Sequence, residues 1–215
     1  MPVRISVTSK LDGIKSWSLT AVTDCPGSVS HKRELVAACQ GCYATEGNYR
    51  FPNVQEPRIS NKEDWKREEW EADMIGALAR EDYFRWFDSG DMYDINLAWK
   101  IYIVMAMTPW CQHWLPTRME KFPKFKEVLN AMRELPNVAV RFSSDSVMGE
   151  FTPGVHGSTI IPSKDAAPVG VEPCLAYEHG GKCDGCRACW NPAIPMIGYV
   201  AHGRKMSKVI RLHVA

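Results

Sequence analysis

Seven of the eight cysteines fall into two groups, and this grouping constrains the chain more than any other feature. Cys25, Cys39 and Cys42 form the first, Cys174, Cys183, Cys186 and Cys189 the second, and Cys111 stands alone. Residues 1–10 hold no apolar leader, and the longest uninterrupted apolar run, 101–107, is far too short to span a bilayer. The expectation is a cytoplasmic protein with no membrane partner. In a reducing compartment disulfides explain grouped cysteines poorly, whereas metal explains them well.

In the first group, Cys39-Gln40-Gly41-Cys42 brings two thiolates to one centre, with glycine easing the turn between them. Cys25-Pro26-Gly27 opens the same loop, with thirteen residues between Cys25 and Cys39, and supplies a third ligand. Three thiolates leave one iron of a cuboidal [4Fe-4S] cluster open to a small molecule. Zinc completed by His31, or three plain core thiols, are the other readings of the same residues. In the second group, Cys183, Cys186 and Cys189 form a C-x2-C-x2-C run of the ferredoxin type, with Cys174 upstream and Gly180, Gly181 and Gly185 interspersed. Four thiolates close the site to substrate. It reads as a second [4Fe-4S] cluster or a zinc site, electronic or structural in role.

Around these groups the hydrophobic pattern alternates between periods of two and 3.6 residues. Strands are expected at 14–22, 83–88, 110–115 and 138–142. Helices are expected from an Asn61 cap to about Arg80, from an Asp94 cap to Met107, and after Pro123. Such alternation argues a parallel sheet with right-handed crossovers. The segment 151–173 is rich in Gly, Pro and Ser, and 197–201 and 209–214 read as strands. The fold class is therefore α/β. A core over 1–149 carries the three-cysteine loop, and a segment over 150–215 carries the four-cysteine site and packs on the core.

The motifs resemble two known families. The loop Cys39-Gln40-Gly41-Cys42-Tyr43-Ala44, set directly after the first strand, is similar to the cluster loop of radical SAM enzymes, and Asp88-Ser89-Gly90-Asp91 stands where those enzymes carry a Gly-rich acidic motif. A closer likeness is to the "gene product 88" domain of phages and plasmids. It rests on Trp17-Ser18-Leu19, Cys25-Pro26-Gly27, Cys39 to Ala44, Phe84 to Asp91, Leu115-Pro116-Thr117-Arg118, Val138 to Ser144 and Cys183 to Trp190. The first gap of thirteen residues departs from the usual C-x3-C-x2-C spacing of radical SAM enzymes. The resemblance implies a compact partial (β/α) barrel with an open-iron cluster at Cys25, Cys39 and Cys42. It also implies S-adenosylmethionine (SAM) as the cofactor, cleaved to a 5′-deoxyadenosyl radical that abstracts hydrogen from a substrate. Asp91, beside Gly90, would take the SAM ammonium. Arg118, Ser143 and Ser144 would stand near the carboxylate or ribose. The location implied is the host cytoplasm of a phage.

The remaining candidates carry less. His202 follows a strand and can face a pocket, Trp190 beside Cys189 shields the second site, and Cys111 and His113 read as packed core. Basic and acidic residues number 26 and 25, so net charge does not indicate nucleic acid. The rival function is a non-catalytic zinc or iron–sulfur module that scaffolds a protein or nucleic-acid partner. No residue identifies the substrate.

Overall fold

The computed structural model describes residues 2–214. Its eight strands are β1 (Ser6–Val7), β2 (Lys15–Trp17), β3 (Tyr83–Trp86), β4 (Gln112–Thr117), β5 (Val138–Ser143), β6 (Gly157–Ile161), β7 (Glu172–Pro173) and β8 (Met196–Val200). They form one mixed sheet in the order β1-β2-β3-β4-β5-β6-β8-β7, with only the β1–β2 pair antiparallel. The six helices are α1 (Ala37–Gln40), α2 (Pro52–Asp64), α3 (Trp70–Ala77), α4 (Ile95–Met107), α5 (Lys126–Glu134) and α6 (Arg204–Val214). The chain is thus mixed α/β. Because β5 pairs β6 through Phe142 and Ser143, the same sheet runs across Gly149.

Strand alternation sorts the two faces. Trp17, Phe84, Trp86, Leu115, Val138, Val140 and Phe142 join one apolar core with Trp70 and Met74 of α3, Leu97 and Ile101 of α4, and Val128 and Met132 of α5. The intervening residues, among them Arg85, Trp114, Ser143 and Tyr199, line a cavity. Asp94 caps α4 as expected, its Oδ1 accepting from the Asn96 amide at 2.8 Å.

Three expectations need correction. Asn61 caps nothing: it lies within α2 and is buried, its Nδ2 donating to the carbonyls of Arg4 and Ser18. The helix expected from Asn61 to Arg80 is instead two helices, broken after Asp64. Residues 209–214 are helical, because Met206 and Val209 bury one face of α6 at 3.6-residue spacing. The Gly-, Pro- and Ser-rich stretch conceals β6, which pairs along its whole length with β8. Among the described residues no helix is long and apolar enough to cross a membrane.

Candidate functional site

The cavity measures about 490 Å³ and opens at the C-terminal ends of the parallel strands. Cys25, Cys39 and Cys42 all line it. Local chain chemistry brings them there. After β2 the chain turns at Val22, a β-branched residue held at φ +66°. Buried Asp24 fixes this turn, accepting from the Thr20 amide (3.1 Å) and from Lys62, while its carbonyl accepts from the Asp91 amide (2.8 Å). The Ser28 amide donates to the Cys25 carbonyl at 2.9 Å, and the Ala38 amide ties α1 to the Asp145 carbonyl at 3.0 Å. Gly41 lets the loop rest on α6, since a Cβ there would stand 2.8 Å from the Met206 Cα.

Burial pushes the Cys25 thiol up to about 12, with the Asp91 carboxylate adding to the effect. Burial raises Cys39 and Cys42 as well, and at both the Arg118 guanidinium works the other way. Ligation by these thiols would therefore release their protons. His31, the alternative fourth ligand, is exposed and does not line the cavity. Among the described residues no three Cys, His, Asp or Glu side chains converge tightly enough to hold a single metal ion.

All five residues expected to bind the cofactor face the same cavity: Gly90, Asp91, Arg118, Ser143 and Ser144. Asp91 is buried and already well satisfied. Its Oδ1 accepts from Thr117 Oγ1 and the Met92 amide, and its Oδ2 from the Arg118 amide, each at 2.8 Å. Burial nonetheless raises its carboxyl above the ordinary value. Gly90, at φ +78°, allows a close approach to the chain just after β2, since a Cβ would lie 2.5 Å from that of Leu19. The Arg118 guanidinium donates to the Ser144 carbonyl at 3.0 Å and stands 3.4 Å from Asp145. Ser144 Oγ donates to the Glu150 carbonyl. A polar hollow of about 420 Å³ adjoins the cavity and shares Thr117, Arg118, Ser143, Ser144 and Ser158 with it.

Other lining residues form a wall whose pairing local spacing did not show, and His202 faces the cavity as its place after a strand suggested. Arg85 lies over Trp114, 4.5 Å from its ring centre, and donates to Asp88 Oδ1 at 2.9 Å. Asp88 also takes bonds from Tyr49 and Arg58 and is buried, so the cavity wall carries a compact charged network. Phe87, at φ +55°, turns the chain out of β3 beside it. His202 lines the cavity between Tyr43 and Tyr177, with the rings 6.4 and 4.4 Å from its own.

The second cysteine group lies on the same side of the sheet. Cys174, Cys183 and Cys189 pack into one apolar cluster with Leu11, Trp114 and Trp190, while Cys186 is exposed. Cys174 also lines the main cavity. Two devices hold this segment. Asp12 accepts from the amides of Asp184 (3.2 Å) and Gly185 (3.0 Å) and from Arg187 (2.9 Å). Arg141, 1% exposed, donates to the carbonyls of Ala188, Cys189, Asn191 and Ile194 at 2.8–2.9 Å. Trp190 packs in that cluster, and its Nε1 donates to the Phe84 carbonyl at 2.9 Å. Cys111 is fully buried outside both groups.

No curated protein and no solved structure matches the chain. The likeness to radical SAM enzymes therefore rests on the motifs alone. A family model described as Gene product 88 matches residues 6–192, a span that holds every cysteine and seven of the eight strands. The chain belongs to the Gene product 88 family.

Proposed function

We propose that this chain is an iron–sulfur protein in which Cys25, Cys39 and Cys42 hold a [4Fe-4S] cluster with one open iron, used with SAM for radical chemistry on a substrate. One observation carries the reading. Three thiols from one loop share a cavity with Asp91, Arg118, Ser143 and Ser144, all at the C-terminal ends of parallel strands, where such sheets bind ligands. The donor set fits the group: all three candidate ligands are thiols. The sequential order β2 to β6 with α3, α4 and α5 on one face is also how a partial (β/α) barrel is wound.

When bound, the cluster and SAM supply one-electron cleavage chemistry, and the protein supplies binding, orientation and exclusion of water. Asp91 would accept from an ammonium through the one acceptor position its three donors leave free. Arg118 would meet a carboxylate by exchanging its partly exposed Asp145 partner. Trp114, Tyr177 and Tyr199 line the cavity with aromatic surface. Cys174, Cys183, Cys186 and Cys189 would hold the second [4Fe-4S] cluster or zinc, and the lining role of Cys174 brings that site to the same cavity.

One observation favours a different reading, a metal module without catalysis: Asp91 and Arg118 already hold internal partners, as a purely structural cavity would require. Anaerobic reconstitution separates the two. The proposal expects about four irons and four sulfides per first site and a paramagnetic spectrum of the reduced cluster that changes on adding SAM. A cluster indifferent to saturating SAM, or zinc alone in both sites, overturns it.

A further inference from the structure

The near-zero net charge conceals a strong segregation. The last fifteen residues carry Arg204, Lys205, Lys208 and Arg211 and no acid, so the preceding 200 hold 22 basic and 25 acidic residues, a net charge of −3. The positive charge lies on α6 and is ordered there. Arg204, Lys208 and Arg211 recur at i, i+4 and i+7, which places them on one stripe of the helix about 10 Å long. All three are exposed, and none has an ion-pair partner among the described residues. Lys205 alone is engaged, with Thr45 Oγ1 at 2.9 Å and Glu46 at 3.5 Å.

Unpaired like charges four residues apart disfavour a helix by a few tenths of a kcal/mol, so the stripe brings α6 no stability of its own. It does match a polyanion. Backbone phosphates of one nucleic-acid strand advance about 3.4 Å each along the helix axis, so the stripe spans about three of them. An anionic membrane would want the apolar face of such a helix. Here Met206 and Val209 are spent on Ala38 and Val147, and among the described side chains of α6 only Leu212 is left exposed as a large apolar one. Position adds to the case. Met206 touches Gly41 and Lys205 reaches Thr45, so α6 rests on the loop that carries Cys39 and Cys42, beside the cavity.

We propose that the exposed face of α6 docks the phosphodiester backbone of nucleic acid across the cysteine loop. This rests on charge and geometry and is independent of any metal.

The test is fluorescence anisotropy of the full chain with a labelled 20-base-pair DNA duplex and its single strand, titrated over a salt series. The expected result is salt-sensitive binding to at least one probe. Lys208→Ala/Arg211→Ala should make the slope of log affinity against log salt shallower by about 1.8 for duplex or 1.4 for single strand, with the thermal midpoint unchanged. Lys124→Ala/Lys126→Ala, an equal charge change at exposed positions at the start of α5, should leave the slope alone. Absence of binding to both probes at low salt overturns the proposal. So does an equal loss in the α5 variant, or binding to phosphatidylserine vesicles in place of DNA.

Discussion

Replacing Arg141 with Met tests whether the second cysteine group is assembled by the fold itself. The guanidinium is buried and serves four carbonyls, three of them between Ala188 and Asn191 and the fourth at Ile194. Methionine has similar length and no donors. A buried acceptor left unmet costs about 1–3 kcal/mol. Three of the four carbonyls are only partly buried and can turn to water, so about 1 kcal/mol each is the appropriate end of that range. Against this, the variant no longer buries a charge, a relief worth several kcal/mol in principle but reduced here because the ion was well bonded. The net expectation is a loss of about 2–3 kcal/mol, or a midpoint lower by roughly 5–10 °C for a chain of this size. Urea unfolding followed by tryptophan fluorescence measures it. Thiol labelling with mass spectrometry locates it: Cys183 and Cys189 should react faster in the variant while fully buried Cys111 stays slow. Unchanged stability together with unchanged labelling of Cys189 would refute the clamp.

Two further perturbations address the core and the cysteine loop. Burial pushes His113 down to about 3. Its Nδ1 faces the Trp86 indole N–H (3.2 Å) and its Nε2 the Thr108 hydroxyl (2.8 Å), which itself donates to the Val104 carbonyl, so the neutral ring fits this chain as donor from Nε2. The unfolded ring takes up a proton near pH 6.5 and the folded ring only near 3. Stability should therefore fall as pH drops through that window, by up to about 4–5 kcal/mol, and acid unfolding of His113→Gln should lack this component. Gly41→Ala forces a methyl against the Met206 backbone and should cost about 1–3 kcal/mol, seen as faster amide exchange in α6 than in α4.

The cysteine grouping, the Asp94 cap and the strand–helix alternation were legible because each depends on local spacing. What escaped depends on distant partners. Asn61 carries the residue type of a helix cap, yet its amide serves carbonyls 57 and 43 positions away. Residues 209–214 offer a short apolar run that either period accommodates, and only the Ala38–Met206 packing decides for helix. Arg141 sits inside the apolar run 138–142, and nothing near it in the chain shows that its donors close a loop fifty residues on. The charged wall of Arg58, Arg85 and Asp88 was hidden for the same reason. Asn61, Arg141 and the charged wall are polar residues turned inward, where each partner had to come from elsewhere in the fold.

Asp91 separates bracing from ligand binding. Its carboxylate ties the turn after β3 to the end of β4 through three donors, and a carboxylate offers about four acceptor positions. Oδ1 is filled by Thr117 and Met92. Oδ2, bonded only to the Arg118 amide, keeps one position, and Asp91 lines the cavity. In Asp91→Asn the amide oxygen will take the side with two donors, so the new NH2 group will face the Arg118 N–H. One charge-assisted bond is lost there, about 1.5–3 kcal/mol, and unfolding of the cofactor-free protein should show it. The same substitution turns the free acceptor into a donor, so SAM binding to the reconstituted protein should weaken by roughly one to two powers of ten. Thr117→Val removes a bracing donor and leaves the free position intact. It should lower stability by about 1 kcal/mol and leave SAM affinity within twofold of about the wild-type value. If Asp91→Asn loses stability but binds SAM like the wild type, Asp91 is a brace and its place among the cofactor-binding residues is lost. If both variants weaken SAM equally, the effect runs through the strand ends, and the direct ammonium contact is refuted.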